Sequence, residues 1–292
     1  MNWKSSEIWN IMKNPKITFM IRHVAHQMRY ARGLAEGMKR HGYTNVAIYE
    51  SMLPDALDSD LLVFWNAKST SIMNNQRSRG KRSLIMERAY IGDRFNWMSL
   101  GYDGLNGRAD FCNAGKDSTR WNKHFSQYIQ PWNYDSVIDG RYALVIGQVL
   151  GDAAVKHIDI QEWYHKVIKE LNNQGHQVLF RNHPSSKIKW NGDTSLNYHV
   201  DTNEHLEDSL KYAKFTVTFS SNAGVISALH GVPVVAYDIG SMVYKIATHD
   251  VKQEIIIPNR TSWASEIAWC QWLPEELENG DAWDHLAPFL YK

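Results

Sequence analysis

FTVTFSSNAGVISALHGVPVVAYD, residues 215–238, has the pattern of a strand–turn–helix–strand unit from a parallel α/β sheet. Residues 215–219 are a β-branched and aromatic run typical of a buried strand. Small residues follow at 220–224. A short apolar helix then ends at Gly231, and residues 233–237 form a second strand. The pattern therefore predicts a turn of small polar residues at the carboxyl end of a strand.

The turn Ser220-Ser221-Asn222-Ala223-Gly224 has the composition of an anion site. Backbone N–H groups at the start of a helix have no partner within the helix and lie at the positive end of its dipole. They bind phosphate or carboxylate groups, and the Ser and Asn side chains add further donors. The alternative is a helix cap that binds no ligand, and the turn alone does not decide between the two.

Two other polar loops follow predicted strands. Arg181-Asn182-His183-Pro184 comes after the strand at 177–180, and Gly147-Gln148-Val149-Leu150-Gly151-Asp152 comes after the strand at 142–146. Ligands of open α/β sheets collect at the carboxyl ends of the strands. We therefore interpret the three loops as one anion-binding crevice.

The composition is that of an ordinary globular protein, with 292 residues, 43% of them hydrophobic and 22% charged. The two cysteines, Cys112 and Cys270, form no metal-binding motif and indicate a reducing compartment. No signal peptide or membrane-length apolar run is present, so we expect a cytoplasmic protein. The net charge of +1 is uneven, because residues 1–140 carry six surplus positive charges and the remainder five surplus negative ones.

The N-terminal half alternates between strands and helices. Strands are predicted at 16–21, 46–49, 61–65 and 83–86, with helices over 1–15 and 26–40 and from about 69. Residues 87–135 show neither helical nor strand periodicity and are interpreted as an ordered loop wall. The fold class is therefore α/β, with two Rossmann-like domains whose parallel sheets face each other across a cleft. We place an acceptor-binding domain at 1–138 and a nucleotide-sugar-binding domain at 139–292, with C-terminal helices that possibly cross back.

This organisation resembles the GT-B glycosyltransferases. The ordered motifs Gly147-Gln148…Asp152-Ala153, Arg181-Asn182-His183-Pro184 and Ser220-Ser221…Gly224 resemble those of capsule-type Kdo transferases. In the N-terminal half, MERAYIGDR (86–94) and GLNGRA (104–109) resemble putative DNA-modifying glycosyltransferases of tailed phages. The first resemblance covers residues 142–240, and the second covers nearly the whole chain.

These resemblances imply an enzyme that transfers sugar from a UDP- or CMP-linked donor to a hydroxyl group. The acceptor implied by the phage resemblance is the 5-hydroxymethyl group of hydroxymethylcytosine in double-stranded DNA. No metal site is expected, because cations of the protein would neutralise the leaving nucleotide, and no cofactor is expected beside the nucleotide-sugar. The implied donor-binding residues are Gln148, Asp152, Arg181, His183, Ser220, Ser221, Asn222 and Gly224.

Transfer with inversion needs a general base beside the acceptor hydroxyl. The candidates are Glu87 and Asp93, on the irregular segment, and His23 or His26, after the first strand. Glu87 and Asp93 are each followed by an arginine, so local ion pairing is the alternative. Each histidine is alternatively a capping or core residue, and retention of configuration would need none of the four.

A DNA acceptor would bind to cations and aromatic rings of the first domain. Phosphate contacts come from a basic run, and a flipped-out base stacks on aromatic rings. The run is alternatively a solvated helix end. The candidate acceptor-binding residues are Arg77, Arg79, Arg82, Arg88, Tyr90, Arg94 and Trp97.

Two other functions fit the same residues. One is a capsule- or lipopolysaccharide-type transferase that acts on a glycan. The other is a non-catalytic module that binds a nucleotide or nucleic acid. The sequence does not determine the sugar, the stereochemical course or the oligomeric state.

Overall fold

The computed structural model of the chain describes residues 14–49, 58–66, 70–133, 135, 139–192 and 194–291. It divides into two compact units: unit 1 comprises Met1–Lys116 with Trp269–Lys292, and unit 2 comprises Asp117–Ala268. The sequence-based division at 138/139 therefore differs from these bounds, and the last 24 residues are part of unit 1. Most of the helix predicted over residues 1–15 lies outside the described residues.

Unit 1 is built on a mixed sheet in which buried apolar strands lie side by side. Its order is β11-β5-β4-β3-β1-β2. Strands β1 to β4 are parallel to one another, whereas β5 pairs antiparallel with both β4 and β11. The bounds are β1 (Ile17–Met20), β2 (Val46–Tyr49), β3 (Leu61–Trp65), β4 (Arg82–Arg88), β5 (Met98–Tyr102) and β11 (Gln271–Trp272).

Unit 2 is built on a fully parallel sheet of order β10-β9-β6-β7-β8. Because β6 lies between β7 and β9, the loops that follow these three strands meet at one edge. We call this edge, with the loops at 147–157, 181–190 and 219–223, the donor edge. The bounds are β6 (Tyr142–Ile146), β7 (Val178–Arg181), β8 (His199–Val200), β9 (Ala213–Thr218) and β10 (Val234–Ala236).

Helices connect the strands and cover the sheets. The longest described helices have apolar faces at helical spacing, as in α1 with Met28, Leu34 and Met38 buried. The α-helices are α1 (Ala25–Arg40), α2 (Thr70–Ser78), α3 (Thr119–His124), α4 (Ile160–Asn173), α5 (Leu206–Leu210), α6 (Ala223–Leu229), α7 (Thr261–Ala268), α8 (Pro274–Asn279) and α9 (Asp281–Leu286). Short 3₁₀ helices lie at Asn106–Arg108, Ser126–Tyr128, Tyr244–Ile246 and Ala287–Phe289. Within the described ranges, no helix has the length and apolar character needed to cross a bilayer.

The segment 87–135 is not a continuous irregular wall, which corrects the sequence interpretation. It contains β5, which pairs with β4, and the helix α3. All five residues of β5 are buried, so the strand lacks the alternation of polar and apolar residues by which half-buried strands are detected.

Gly37 of α1 sets how closely the C-terminal helix α8 approaches. A Cβ at position 37 would collide with the Leu277 carbonyl oxygen and lie 3.0 Å from the Gly280 backbone. A Cβ at Gly33, one turn earlier on α1, would instead make an ordinary 3.6 Å contact with the Leu277 Cβ. The same helix therefore offers one glycine that the packing requires and one that it does not.

We expect Gly37→Ala to destabilise the protein by about 1–3 kcal/mol, because the backbone of α8 must move to admit the methyl group. Gly33→Ala is the matched control, and we expect it to be neutral or to stabilise by up to about 1 kcal/mol through helix propensity. Urea unfolding of the two variants provides the measurement. Equal stability of the variants would contradict this packing.

Candidate active site

Gln148 and Ser220 join two loops of the donor edge. The Ser220 backbone N–H donates to Gln148 Oε1 at 2.8 Å, and Gln148 Nε2 donates to Ser220 Oγ at 3.2 Å. Ser220 is 5% exposed, so these bonds satisfy groups that water barely reaches. The loop after β6 and the turn after β9 are thereby held at a fixed separation.

Tyr164 of α4 forms a hydrogen bond with the backbone of Gln148. The Gln148 backbone N–H donates to the Tyr164 hydroxyl oxygen at 2.6 Å. Burial raises the pKa of Tyr164 to about 12, even though the hydrogen bond with the Gln148 backbone acts in the opposite direction. The hydroxyl is therefore neutral across the physiological pH range. Tyr164 was not identified from the sequence, because it occupies an ordinary apolar position of an amphipathic helix.

Four amides of the turn after β9 already have acceptors within the chain. Ser220 N–H bonds Gln148, Ser221 N–H bonds Thr218 Oγ1 at 2.9 Å, and Gly224 N–H bonds the Ser221 carbonyl at 3.0 Å. The Ala223 N–H donates to Ser221 Oγ at 3.2 Å. These four N–H groups are therefore not the open donors that the sequence predicts before Gly224. The side chains of Ser221 and Asn222 remain candidates for ligand contacts, since a hydroxyl that accepts one bond still carries a proton to donate.

Gly224 has a packing role. It is buried, and a Cβ there would lie 3.0 Å from Val243 Cγ2 and 3.3 Å from Thr218 Cγ2. The glycine therefore allows α6 to lie close to β9 and to the segment after β10. Nothing in its surroundings requires a ligand.

Arg181 is held in a buried ion pair. Its Nη1 lies 2.5 Å from Asp201 Oδ2, and the side chains are 14% and 1% exposed. The guanidinium also donates to the carbonyl oxygens of Asn203 and Glu204, at 2.9 and 2.8 Å. These bonds fasten the loop after β8 to the end of β7. Because Asp201 already balances its charge, the Arg181 guanidinium is a poor binding group for the phosphates of a nucleotide.

His183 is oriented within the loop after β7. Its Nδ1 accepts the Ser185 backbone N–H at 3.1 Å, so the neutral imidazole carries its proton on Nε2. Asn182 braces the same loop, because its side chain exchanges two hydrogen bonds with the backbone of Trp190, at 2.9 and 3.4 Å. Asp152, the remaining donor candidate, is exposed and accepts the Ala154 N–H at 3.2 Å.

A histidine–carboxylate pair at the donor edge was not identified from the sequence. Asp238, which follows β10, is 9% exposed, and its Oδ2 lies 3.6 Å from His157 Nε2. Its Oδ1 accepts the Gly240 N–H at 2.7 Å. The two residues are 81 positions apart in sequence, and only the order of strands in the sheet brings them together.

In unit 1, His23 lies at the carboxyl end of β1 and lines a groove of about 830 Å³ between α1 and α8. Such a volume is within the range of about 300–1,000 Å³ typical of small-molecule sites. The groove carries Arg29 and Arg32 as well as Glu36, Glu275 and Glu278. His23 is exposed there.

The carboxylates of Glu87 and Asp93 accept hydrogen bonds from backbone N–H groups one or two residues further along the chain. Glu87 Oε1 accepts the Arg88 N–H at 2.8 Å, and Asp93 Oδ1 accepts the Phe95 N–H at 2.9 Å. Asp93 thereby shapes the turn between β4 and β5. The Arg88 guanidinium stacks on Phe95, 4.4 Å from the ring centroid.

The arginines of the predicted basic run make contacts within the chain, and two of them pair with aspartates. Arg79 pairs with Asp58 at 2.9 Å, and Arg77 donates to the Asp103 carbonyl at 3.0 Å. Arg82 is 11% exposed and binds Asp103 at 2.7 Å and Asp110 at 2.9 Å. The run is therefore a set of intramolecular contacts, and DNA phosphates would have to compete with them.

The aromatic residues proposed for base stacking are core residues. Tyr90 is 7% exposed and Trp97 is 9% exposed. Burial raises the pKa of Tyr90 far above its usual range, with a smaller opposing contribution from Ser99. Phe95, between Tyr90 and Trp97 in the sequence, is 70% exposed, and Arg94 beside it is also exposed. Neither Tyr90 nor Trp97 is placed to receive a flipped base.

Among the described residues, no group of three or more His, Cys, Asp or Glu side chains is arranged to hold a metal ion. The His157–Asp238 pair described above consists of two such groups.

No family model matches the sequence, and no curated protein sequence matches it. Among solved structures, the chain is similar to KpsC of Thermosulfurimonas dismutans, a β-Kdo 2,4 transferase, with a TM-score of 0.57, 14% identity and coverage of 86% of this chain and 90% of that one. It is also similar to the β-Kdo 2,7 transferase of the same KpsC, with a TM-score of 0.56, 13% identity and coverage of 87% and 89%. The GT-B class of fold predicted from the sequence is confirmed by these similarities.

We expect Arg181→Ala to destabilise the protein by about 3–5 kcal/mol, because the Asp201 carboxylate would remain buried without its counter-charge. Lys187→Ala, on the exposed part of the same loop, is the control and should leave stability unchanged. Urea unfolding measures both. If Arg181→Ala instead kept native stability but no longer bound the nucleotide, Arg181 would be a donor-binding residue.

Proposed function

We propose that the chain is a GT-B glycosyltransferase that transfers a sugar from a nucleotide-sugar to a hydroxyl group of a glycan acceptor. The observation that supports this proposal is the donor edge, where the loops that contain His183, Ser221 and Asn222 follow β7 and β9, the two parallel neighbours of β6, and Gln148 bonds Ser220. Neutral and imidazole donors of this kind suit the phosphate oxygens of a UDP- or CMP-linked sugar. The shared fold of the two Kdo transferases supports the same reaction class.

His183 has the geometry to assist departure of the nucleotide. Because Nδ1 accepts the Ser185 N–H, the neutral ring carries its proton on Nε2, and this is the atom that would donate to a phosphate oxygen. An oriented donor at the leaving group stabilises charge that develops in the transition state. We propose that this contribution, with Ser221 and Asn222, replaces a divalent metal.

His23 is the base that the geometry of unit 1 favours. It lines the groove between α1 and α8, whereas Glu87 at the end of β4 and Asp93 in the following turn each accept a backbone N–H nearby. Imidazole is the side chain most often used for proton transfer near neutral pH. The acceptor hydroxyl would lie in this groove, and Arg29 and Arg32 would fix neighbouring polar or anionic groups.

Hydroxymethylcytosine in DNA is the second candidate acceptor. The surplus of positive charge in residues 1–140 favours it. The internal pairing of Arg77, Arg79 and Arg82 and the burial of Tyr90 and Trp97 count against it. A glycan acceptor requires neither a continuous phosphate-binding surface nor exposed stacking rings, and we therefore prefer it.

The donor proposal predicts sugar transfer in the presence of EDTA. The protein would be incubated with UDP- and CMP-sugars and with two acceptors, a mixture of synthetic oligosaccharides and hydroxymethylcytosine DNA, and products would be analysed by mass spectrometry. We expect a sugar-sized mass gain on an oligosaccharide, reduced about 10²–10³-fold by His183→Ala. Transfer to DNA alone would select the second acceptor, and undiminished transfer by His183→Ala would refute this donor site.

We expect His23→Ala to lower kcat by about 10²–10⁴-fold with little change in KM for the donor, as for loss of a general base. His26 was the other histidine candidate, but it does not line the groove, so we expect His26→Ala to keep its activity and to serve as the comparison. Steady-state kinetics of both variants, with Glu87→Gln and Asp93→Asn beside them, separate the candidates. If Glu87→Gln or Asp93→Asn lost most of its kcat while His23→Ala stayed active, that carboxylate would be the base instead of His23.

A further inference from the structure

A second groove lies in unit 2, away from the donor edge. It has a volume of about 600 Å³ and lies between α3, the segment around Trp132 and the start of α7. Helix α6 starts at the carboxyl end of β9 and runs back across the sheet. The Gln130 N–H bonds the Leu229 carbonyl at its far end at 2.7 Å, and the Asn133 N–H bonds the Gly231 carbonyl at 2.9 Å. The groove is therefore at the opposite edge of the sheet from the donor loops.

An aromatic ring and five uncharged polar residues give this groove its chemistry. Trp132 is half-buried, whereas Trp121 is 6% exposed and belongs to the packed floor of the groove. The polar residues are Ser118, Asn122, Asn259, Thr261 and Ser265. Indole rings present flat apolar faces, and hydroxyl and amide groups both donate and accept hydrogen bonds. Sugar rings need this combination, because they have apolar C–H faces and a rim of hydroxyl groups.

The Trp132 ring is fixed in advance of any ligand. Its indole N–H donates to the Pro258 carbonyl at 3.0 Å, and the Arg260 guanidinium lies over the ring, 4.0 Å from the centroid. Arg260 in turn donates to the carbonyl oxygens of Gln130, at 2.6 Å, and of Ala228. A rigid aromatic ring loses little conformational entropy on binding, so such an arrangement favours affinity.

The charge of the groove disfavours a nucleic acid. Single-stranded nucleic acids bind to grooves in which cations follow the phosphates while bases stack on aromatic rings. Arg260 is the charged side chain in the lining of this groove, and it is 8% exposed and engaged by two carbonyls and by Trp132. The aromatic surface is therefore present without the row of cations.

We propose that this groove is a glycan-binding site, separate from the donor edge, in which an uncharged sugar ring packs against Trp132. Asn122, Asn259 and Thr261 bond its hydroxyl groups. Binding here does not require that the chain be a glycosyltransferase, so the site stands apart from the proposed function. Its chemistry selects neutral pyranose oligosaccharides.

The test uses the full chain with a panel of neutral oligosaccharides: maltotriose, cellotriose, mannotriose, N-acetyl-lactosamine and triacetylchitotriose. Saturation-transfer NMR identifies a ligand, and calorimetry measures its Kd. Asn122→Ala and Thr261→Val each remove one hydrogen-bonding group from the exposed wall of the groove without touching Trp132. We expect each to weaken binding about tenfold, the cost of about one hydrogen bond.

Asn173→Ala, an exposed asparagine of α4 outside this groove, is the matched control and should bind as the unaltered chain does. An excess of UDP- or CMP-sugar should displace none of the bound oligosaccharide. The proposal is overturned if no oligosaccharide of the panel binds at millimolar concentration, or if Asn122→Ala and Thr261→Val leave Kd unchanged. It is also overturned if a single-stranded oligonucleotide binds there in place of the neutral sugars. His183→Ala tests the donor edge separately, so failure of one site is distinguishable from failure of the other.

Discussion

The hydrogen bonds between the Gln148 side chain and Ser220 hold the donor edge of unit 2 together. One amide satisfies both the backbone N–H and the hydroxyl of a buried serine, and the Tyr164 hydroxyl holds the backbone of the same glutamine. Parallel strands bring the two loops near each other, but the side-chain amide fixes their separation. The outward groups of the edge, among them Ser221 and His183, depend on this frame for their positions.

Internal neutralisation of charge recurs in both units. Arg181 pairs with a nearly inaccessible Asp201, and Arg82 is bound by two aspartates. Arg82 holds the pKa of Asp110 below its usual range despite the opposing effect of partial burial. Above the unfolded-state pKa of an aspartate this interaction stabilises the fold, and the contribution is lost as the pH falls through the lowered folded-state value. A cation in the sequence is thus not by itself a binding group for phosphate.

The C-terminal residues complete unit 1 by two kinds of contact. Strand β11 extends the sheet through β5, and α8 packs on α1 where Gly37 leaves room for its backbone. Gln271 adds a side-chain contribution, because its Oε1 accepts the N–H groups of Tyr90 and Ile91 at 3.0 and 3.1 Å. The groove that contains His23 owes one of its walls to this distant segment. A site in unit 1 therefore depends on residues about 250 positions away in the chain.

The sequence by itself determined the α/β class, the parallel strands of both halves and the three polar loops that follow β6, β7 and β9. Strands such as β2, β3 and β6, with α4, could be read from local periodicity, because apolar spacing depends only on neighbouring residues. The tertiary structure decided what periodicity cannot encode. The fully buried β5 shows no alternation, and the partners of Arg181, Arg82 and Asp238 lie 20 to 81 residues away. The role of a charged or polar side chain depends on the partner that folding brings to it, and that partner is fixed by strand order rather than by sequence spacing.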